Sequence, residues 1–228
     1  MSNRPNTRPT AKTRAVTNAS KAGKTSPLAI WVLAGVLGLA IVAVVIAAFV
    51  TQSDPVEGQV QDVSISGTAL TELPEGGGDD PAVGAQAPVV EGHTFTGEPI
   101  TIGEPTDSPT IVVFVAHWCP HCQREVPRLV EWRADGTIPD DVNLVAVATG
   151  TETSGDNYPP QAWLEREDWP GDVMADSDDS EAAGAYGLAS YPYFVALNAD
   201  GTVAARGEGE LDQQGIEDLV ASLEGAQQ

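Results

Sequence analysis

Two kinds of hydrophobic pattern alternate along the second half of the chain, and they predict strands and helices in turn. Residues 110–116 and 143–149 are predominantly apolar runs rich in valine, as expected for strands buried on both faces of a sheet. Further strands are predicted at 173–175, 193–198 and 202–206, with a looser hairpin over 89–102. Helices are predicted at 119–133, 160–168, 180–186 and 212–223. This alternation predicts an α/β domain in which helices cover a central sheet.

A separate apolar run lies nearer the N-terminus, at residues 28–50. It contains 23 residues without a charge, and a helix of that length spans about 34 Å, which is enough to cross a bilayer. The alternative is a cleaved signal peptide, which normally has an apolar region of about 7 to 15 residues and a small-x-small cleavage site. Ala47, Ala48 and the residues after them match such a site poorly. The run therefore predicts an uncleaved transmembrane helix.

The charges are divided on either side of this run. Residues 1–53 carry six basic side chains and no acidic one, whereas the rest of the chain carries five basic and all 33 acidic side chains. Because lysine and arginine are retained in the cytoplasm, we expect a single-pass protein of the cell membrane with a cytoplasmic N-terminus and its folded part outside. An acidic folded part also excludes the nucleic-acid-binding proteins, which need a basic folded surface.

Composition divides the chain into four parts. Residues 1–27 are dominated by Pro, Asn, Thr, Ser and Ala and are predicted to be a disordered basic tail, followed by the transmembrane helix at 28–50. Residues 51–82 are rich in Gly, Asp and Glu, which predicts a flexible linker, although 60–69 alternate weakly as a strand would. Residues 83–226 are then long enough for one domain of ordinary size.

The two cysteines of the chain stand three residues apart, where a predicted buried strand ends and a helix begins. At the start of a helix the Cys119 sulfur faces unpaired backbone N–H groups and the positive end of the helix dipole, so its thiolate is stabilised. Cys122 lies one turn further on and is the natural resolving thiol, which attacks a mixed disulfide formed at Cys119. His121 adds a positive charge or a hydrogen bond near the Cys119 sulfur and favours the reduced pair. A pair whose reduced form is favoured gives up its disulfide readily and acts as an oxidant.

A structural disulfide and a metal site are the simpler explanations of the same pair. A disulfide of this span closes a very small loop and contributes less stability than a long-range one. A tetrahedral metal site needs three or four ligands. Besides His121, the chain has only two histidines that could join the two cysteines as metal ligands, His93 and His117. Both are expected to be solvated surface residues. No metal and no cofactor is therefore expected.

Residues 84–225 resemble the thioredoxin superfamily, and within it the membrane-anchored TlpA/ResA-like thiol-disulfide oxidoreductases. The segment 84–88 (GAQAP) looks like the G-x-x-A-P opening of the redoxin branch, and TIVVFVAHWCPHC is similar to the active-site strand and helix start of the family. Pro127 matches the helix-kinking proline of the family, and the long stretch from Cys122 to Pro192 agrees with the inserted strand-helix segment of the branch. The resemblance implies a thioredoxin-like α/β fold, with a central mixed sheet flanked by helices and a redoxin-type insert.

The dipeptide Tyr191-Pro192 resembles the cis-proline of the family, which faces the disulfide in that fold. A cis X-Pro bond leaves the backbone of Tyr191 free to pair with an extended substrate segment as an added strand. The alternative is a trans proline at the entrance of a strand. Trp118 either closes the end of the strand or shields the disulfide from water. The resemblance thus implies that Trp118, Tyr191 and Pro192 bind substrate.

Two features depart from the family pattern. Plain thioredoxin has a buried acidic residue six positions before the first cysteine, where this chain has Val113. A carboxylate such as that of Glu152 or Glu165 is a candidate replacement. The dipeptide Pro120-His121 resembles the DsbA-type oxidase motif, whereas TlpA/ResA-like reductants more often carry Glu-Pro or similar residues between the cysteines. The scaffold and the dipeptide therefore favour opposite redox directions.

Together these features predict an enzyme that exchanges disulfides with exported proteins, as an oxidant or isomerase, and is reset by a membrane or extracytoplasmic redox partner. It is expected to be a monomer held at the membrane by its own helix. The alternatives are a reductant serving cytochrome c maturation, a thioredoxin-like binding or chaperone module with an inert disulfide, and a peroxidase. The peroxidatic signature P-x-x-x-[TS]-x-x-C is absent, since residues 112–119 are VVFVAHWC.

Overall fold

The computed structural model of the chain describes residues 58–74 and 79–223. The predicted tail at 1–27 and the predicted transmembrane helix at 28–50 lie outside these residues. Among the residues that the structure does describe, no helix is long and apolar enough to span a bilayer.

Strands and helices alternate along the described chain in the order that the sequence predicts. The strands are β1 (Ser64–Ser66), β2 (Val89–His93), β3 (Pro99–Ile102), β4 (Thr110–Val115), β5 (Asn143–Ala148), β6 (Asp172–Ala175), β7 (Tyr193–Leu197) and β8 (Val203–Glu208). The helices are α1 (Pro120–Ala134), α2 (Pro160–Arg166), α3 (Glu181–Ala185) and α4 (Gln213–Ala221). The predicted elements of the domain are all present, and their ends differ from the prediction by one or two residues.

The strands form one mixed sheet in the order β1-β2-β6-β5-β4-β7-β8, with β3 paired to β2. Strands β4, β5 and β6 are parallel to one another, whereas β7 runs antiparallel to β4 and β8 antiparallel to β7. A central mixed sheet flanked by helices is the thioredoxin-like α/β fold that the resemblance implies. The long stretch between Cys122 and Pro192 contains most of α1, followed by β5, α2, β6 and α3.

Strand β4 lies at the centre of the sheet and packs into both apolar layers. Ile111, Val113 and Val115 face a layer that holds the buried sides of α1, α2 and α4. Val112 and Phe114 face the opposite layer, which holds α3 and strands β2 and β3. The continuous apolar run of β4 is explained by this double burial, because neither face of the strand meets water. The end of β4 is therefore a rigid base for the residues that follow it.

Part of the predicted linker is packed against the domain. Strand β1 pairs antiparallel with β2, and Gln59 is buried. Asp80 forms a salt bridge with Arg206 of β8, with 2.7 Å between the Asp80 Oδ2 and Arg206 Nε atoms. The described parts of the segment 51–82 are thus not a free spacer. Composition indicated flexibility, but backbone pairing to β2 and a shielded ion pair hold these described parts against the domain.

The salt bridge between Asp80 and Arg206 is expected to contribute strongly to stability. The Arg206 side chain is fully buried and also donates to the carbonyl of Thr71 and the hydroxyl of Tyr193. Replacing Asp80 with Asn leaves the guanidinium without its counter-charge, which costs about 3 kcal/mol when such a pair is buried. We expect D80N to lower the free energy of unfolding in urea by about that amount, whereas D79N, at the exposed neighbouring position, should change it by less than about 0.5 kcal/mol.

The same ion pair gives the effect a pH dependence. The Arg206 side chain holds the pKa of Asp80 below its usual value. The contribution of the pair is therefore complete above the ordinary carboxyl pKa of about 4 and is lost as the pH falls through the lowered pKa of the folded protein. The stability difference between wild type and D80N should shrink in acid, and a difference that stays constant down to pH 2 would contradict this account.

Candidate active site

Both cysteines lie at the start of α1, directly beyond the buried end of β4. Cys119 is the residue before the helix and has extended backbone, and Pro120 is the first helical residue. Both thiols are free. Cys119 retains 5% of its accessible surface and Cys122 none. Cys119 is therefore the more accessible residue of the pair, and Cys122 is enclosed by the helix and the sheet.

Burial determines the protonation state of the Cys122 thiol. Loss of solvent around the buried thiol raises the pKa of Cys122 well above its ordinary value, and the negative charges of Cys119 and Glu125 raise it further. The thiol is therefore protonated at neutral pH. Because only the thiolate is a good nucleophile, a base must accept its proton before Cys122 can resolve a mixed disulfide.

The buried carboxylate nearest to Cys122 along the sequence is that of Glu125, which lies one helical turn further on in α1. It is fully buried, and its Oε1 accepts a hydrogen bond from the backbone N–H of Leu211 at 3.1 Å. Its Oε2 lies 3.1 Å from Nη1 of Arg128. Burial raises the pKa of Glu125 to about 7, although the Leu211 N–H and the Arg128 charge both favour the ionised form. A group with such a pKa can both accept and donate a proton at neutral pH.

The two carboxylates that the sequence suggested as buried proton acceptors, those of Glu152 and Glu165, lie at the surface instead. Glu165 is exposed, and its side chain accepts a hydrogen bond from Gln161. Glu152 is exposed, and its backbone rather than its carboxylate contacts the active-site segment. The sequence carried a signal for Glu125, because a residue three positions after Cys122 on a helix shares its face and that face continues with Val126 and Leu129 in the core.

Tyr191 and Pro192 lie at the same end of the sheet as the cysteines. The peptide bond between them is cis, as predicted. Tyr193 pairs with Phe114 of the antiparallel strand β4, so the residues before Tyr193 stand beside the residues that follow β4. Pro192 is buried and Tyr191 is partly exposed. The loop and the cysteine pair therefore form one surface.

Trp118 completes this surface. Its ring packs edge-on against Tyr191, with 5.8 Å between the ring centroids, and its Nε1 donates a hydrogen bond to the carbonyl of Gly150 at 2.7 Å. Gly150 has a positive φ of 58°, and a Cβ atom there would lie 2.8 Å from the Tyr191 hydroxyl oxygen. The close approach of the Tyr191 hydroxyl to the backbone at position 150 therefore requires glycine, which has no Cβ atom. The two roles foreseen for Trp118 are therefore both compatible with its position at the end of β4 and beside Tyr191.

The prediction that His117 is a solvated surface residue is wrong. The side chain is 1% exposed, with Nδ1 at 2.8 Å from the Asp156 carbonyl oxygen and Nε2 at 3.0 Å from that of Glu152. The imidazole is buried because the loop after β5 folds over it and uses both ring nitrogens. His93, by contrast, is exposed on β2, as predicted.

His121 is held by neighbours that the sequence did not indicate. Its Nδ1 lies 2.6 Å from Oε1 of Glu210 and 3.0 Å from Nη2 of Arg124. Glu210 is 89 positions away in the chain, so local sequence carries no signal for this contact. The imidazole thus stands among charged groups at the mouth of the site.

The described residues contain no group of three or more His, Cys, Asp or Glu side chains arranged to hold a metal ion. The chemistry available at the site is that of the two sulfurs, the buried carboxylate and the charged side chains around them.

Two free cysteines at the first turn of a helix, beside a cis-proline loop, together with the mixed sheet, place the chain among proteins with the thioredoxin-like fold. Residues 83–206 match the AhpC/TSA family. Since the match covers more than half of the chain, the protein belongs to the AhpC/TSA family.

Individual relatives share the domain rather than the whole chain. The methylamine utilization protein MauD of Methylophilus methylotrophus is 26% identical over 129 residues, which is 56% of this chain and 56% of MauD. The chain thus matches only a little over half the length of that relative. A candidate thiol:disulfide interchange protein DsbE from Chlorobium tepidum is 20% identical with a TM-score of 0.50, covering 61% of this chain and 96% of that one. StoA from Bacillus subtilis is 23% identical with a TM-score of 0.47, covering 61% and 99%.

Proposed function

We propose that the chain is a membrane-tethered, TlpA/ResA-like thiol-disulfide oxidoreductase that exchanges disulfides with exported proteins through Cys119-Pro120-His121-Cys122. The observation that carries the proposal is the pair of free thiols at the start of α1, one slightly exposed and one buried, beside the Tyr191-Pro192 loop. Family membership supports oxidoreductase activity, as does the likeness to the Chlorobium tepidum protein, which is named as a thiol:disulfide interchange protein.

In the oxidising direction the Cys119–Cys122 disulfide accepts two electrons from a substrate dithiol. A substrate thiolate attacks the Cys119 sulfur, the disulfide breaks, and Cys122 leaves with the electron pair and takes up a proton. A second substrate thiolate then attacks the mixed disulfide, which forms the substrate disulfide and releases Cys119 as a thiolate. A disulfide-bearing redox partner must afterwards take the two electrons to restore the pair.

Glu125 handles the proton at Cys122 in both directions. Its pKa of about 7 makes it partly protonated at neutral pH, so it can supply a proton when Cys122 leaves as a thiolate. When the enzyme runs in reverse, ionised Glu125 removes the proton from the buried Cys122 thiol before that sulfur attacks the mixed disulfide. The carboxylate therefore does not fix the direction of exchange.

The Tyr191-Pro192 loop and Trp118 are the proposed docking surface for the substrate chain. The aromatic pair lies beside the cysteines with the Trp118 ring partly exposed. An extended segment aligned along Tyr191 would present its sulfur to Cys119, which is the more exposed thiol of the pair.

The proposed location rests on residues 1–53. The uncharged run at 28–50 has the length of a membrane span, and the six basic residues before it favour a cytoplasmic N-terminus. The domain would then work outside the cytoplasm, where disulfides form and persist.

The redox direction is tested by the equilibrium of the full-length chain with glutathione. The Pro-His dipeptide favours an oxidant, and we expect a reduction potential well above the value of about −270 mV that is typical of thioredoxin. A potential near or below that value would replace the oxidant proposal with the alternative, a reductant such as those serving cytochrome c maturation. The fraction of reduced pair at each glutathione ratio can be counted by thiol alkylation and mass spectrometry.

A further inference from the structure

The segment Gly209–Leu211, between β8 and α4, contacts three parts of the active site with three successive residues. The backbone N–H of Gly209 donates to the carbonyl of Pro192 at 2.8 Å. The Glu210 carboxylate binds side chains of the first turns of α1, and the Leu211 N–H donates to the buried carboxylate of Glu125. The segment is therefore fixed to the cis-proline loop, to the mouth of the site and to its buried acid.

The Glu210 carboxylate is the charged member of this segment. Its Oε1 lies 2.6 Å from Nδ1 of His121, and its two oxygens lie 3.1 and 3.2 Å from Nε of Arg124. The side chain is 28% exposed. Hydrogen bonds from Arg124, and next from His121, lower the pKa of Glu210 to about 2. It therefore carries a full negative charge wherever the enzyme works.

Both partners of Glu210 would otherwise favour a thiolate at Cys119. His121 and Arg124 follow Cys119 by two and five positions, on the first turns of α1. The pKa of Arg124 is raised chiefly by Glu210 and to a smaller extent by the charge of Cys119, so the guanidinium lies within electrostatic reach of that sulfur. Glu210 offsets the charge of Arg124 and binds the ring nitrogen of His121 at the place where both side chains act on the sulfur.

We propose that Glu210 is a positioning residue that sets the redox potential of the Cys119–Cys122 pair by holding His121 and offsetting the charge of Arg124. The proposal rests on the proposed function and adds a specific regulation of its site. With Glu210 in place, the reduced pair gains less from Arg124 and His121 than the Cys-Pro-His-Cys sequence alone implies. The pair is consequently a weaker oxidant than the same motif without such a counter-charge.

The test is the equilibrium of full-length Glu210→Gln with glutathione. Interactions between exposed charged side chains are modest because solvent screens them, so the equilibrium constant should shift about fivefold towards the reduced pair, a potential about 20 mV more positive. The fraction of Cys119 thiolate at a fixed neutral pH, followed by its ultraviolet absorbance, should rise in parallel. Glu208→Gln is the matched control, because Glu208 carries the same charge two residues earlier but binds Ser190 rather than the cations.

Two further variants, Arg124→Gln and the double variant with Glu210→Gln, test whether the effect comes from the contact between these two side chains. Arg124→Gln should shift the equilibrium in the opposite direction, because it leaves the Glu210 charge less compensated, and the double variant should lie between the two single ones. A potential of E210Q that does not differ from that of E208Q, in protein with wild-type urea stability, overturns the inference while leaving the proposed function intact. Loss of the proposed function would instead appear as absence of any thiol-disulfide exchange in the wild-type chain.

Discussion

A Cys119→Ser variant is expected to lose thiol-disulfide exchange by about a thousandfold or more, because a serine hydroxyl cannot replace the thiolate as nucleophile. Cys119 is the thiol that retains accessible surface, whereas Cys122 is fully enclosed. The rate is measured with oxidised glutathione and the reduced full-length chain, by quenching with acid and counting the remaining thiols by mass spectrometry.

Cys122→Ser is the matched variant and should behave differently. Cys119 can still attack glutathione disulfide, but nothing resolves the product, so a stable mixed disulfide with one glutathione should accumulate. Equal loss of the first step in both variants would argue against the assigned order of the two thiols. Exchange activity and cellular phenotype that survive in Cys119→Ser would favour the alternative of a binding or chaperone module with an inert disulfide.

Glu125→Gln is expected to slow resolution of the mixed disulfide by about a hundredfold, the usual contribution of a positioned acid or base. The amide can still accept the hydrogen bond from the Leu211 N–H, so the local packing is retained, but it cannot take the proton of the buried Cys122 thiol. In the wild type, the rate at which Cys122 releases glutathione from Cys119 should rise as the pH passes about 7, where Glu125 ionises. This inflection should disappear in the variant.

The control for this variant is Glu131→Gln, an exposed glutamate on the same helix. Measuring the stability of E125Q distinguishes an effect on catalysis from a folding defect. Because the pKa of Glu125 is raised in the folded protein, its ionisation costs stability as the pH rises through about 7, and E125Q should be at least as stable as wild type at pH 8. Unchanged resolution kinetics in E125Q would leave Cys122 with another proton acceptor.

The sequence was most informative where burial imposes a pattern. Strand β4 could be predicted because both of its faces are in the core, and the position of Cys119 followed from where that apolar run ends. The family resemblance added the cis bond at Pro192, which the structure contains. The first feature depends on residues that are neighbours in the sequence, and the second on a motif that has the same structure throughout the family.

Side chains whose environment is made by distant parts of the chain could not be placed in this way. Glutamate on a helix is usually solvated, and although helical spacing puts Glu125 on the buried face of α1, it does not show that the carboxylate meets the Leu211 backbone 86 positions away. His117 was expected at the surface for the same statistical reason, yet the loop after β5 covers it. The contact between His121 and Glu210 likewise exists only after β8 has joined the sheet.

The unequal burial of the two sulfurs also divides their exposure to chemical damage. Oxidants that convert a thiolate to sulfenic and then to irreversible sulfinic acid act on sulfurs that are both ionised and accessible. Cys122 is fully enclosed, and its raised pKa keeps it protonated. In an oxidising compartment the irreversible lesions would therefore collect on Cys119, and rapid capture of its sulfenic form by Cys122 as a disulfide would protect the enzyme from inactivation.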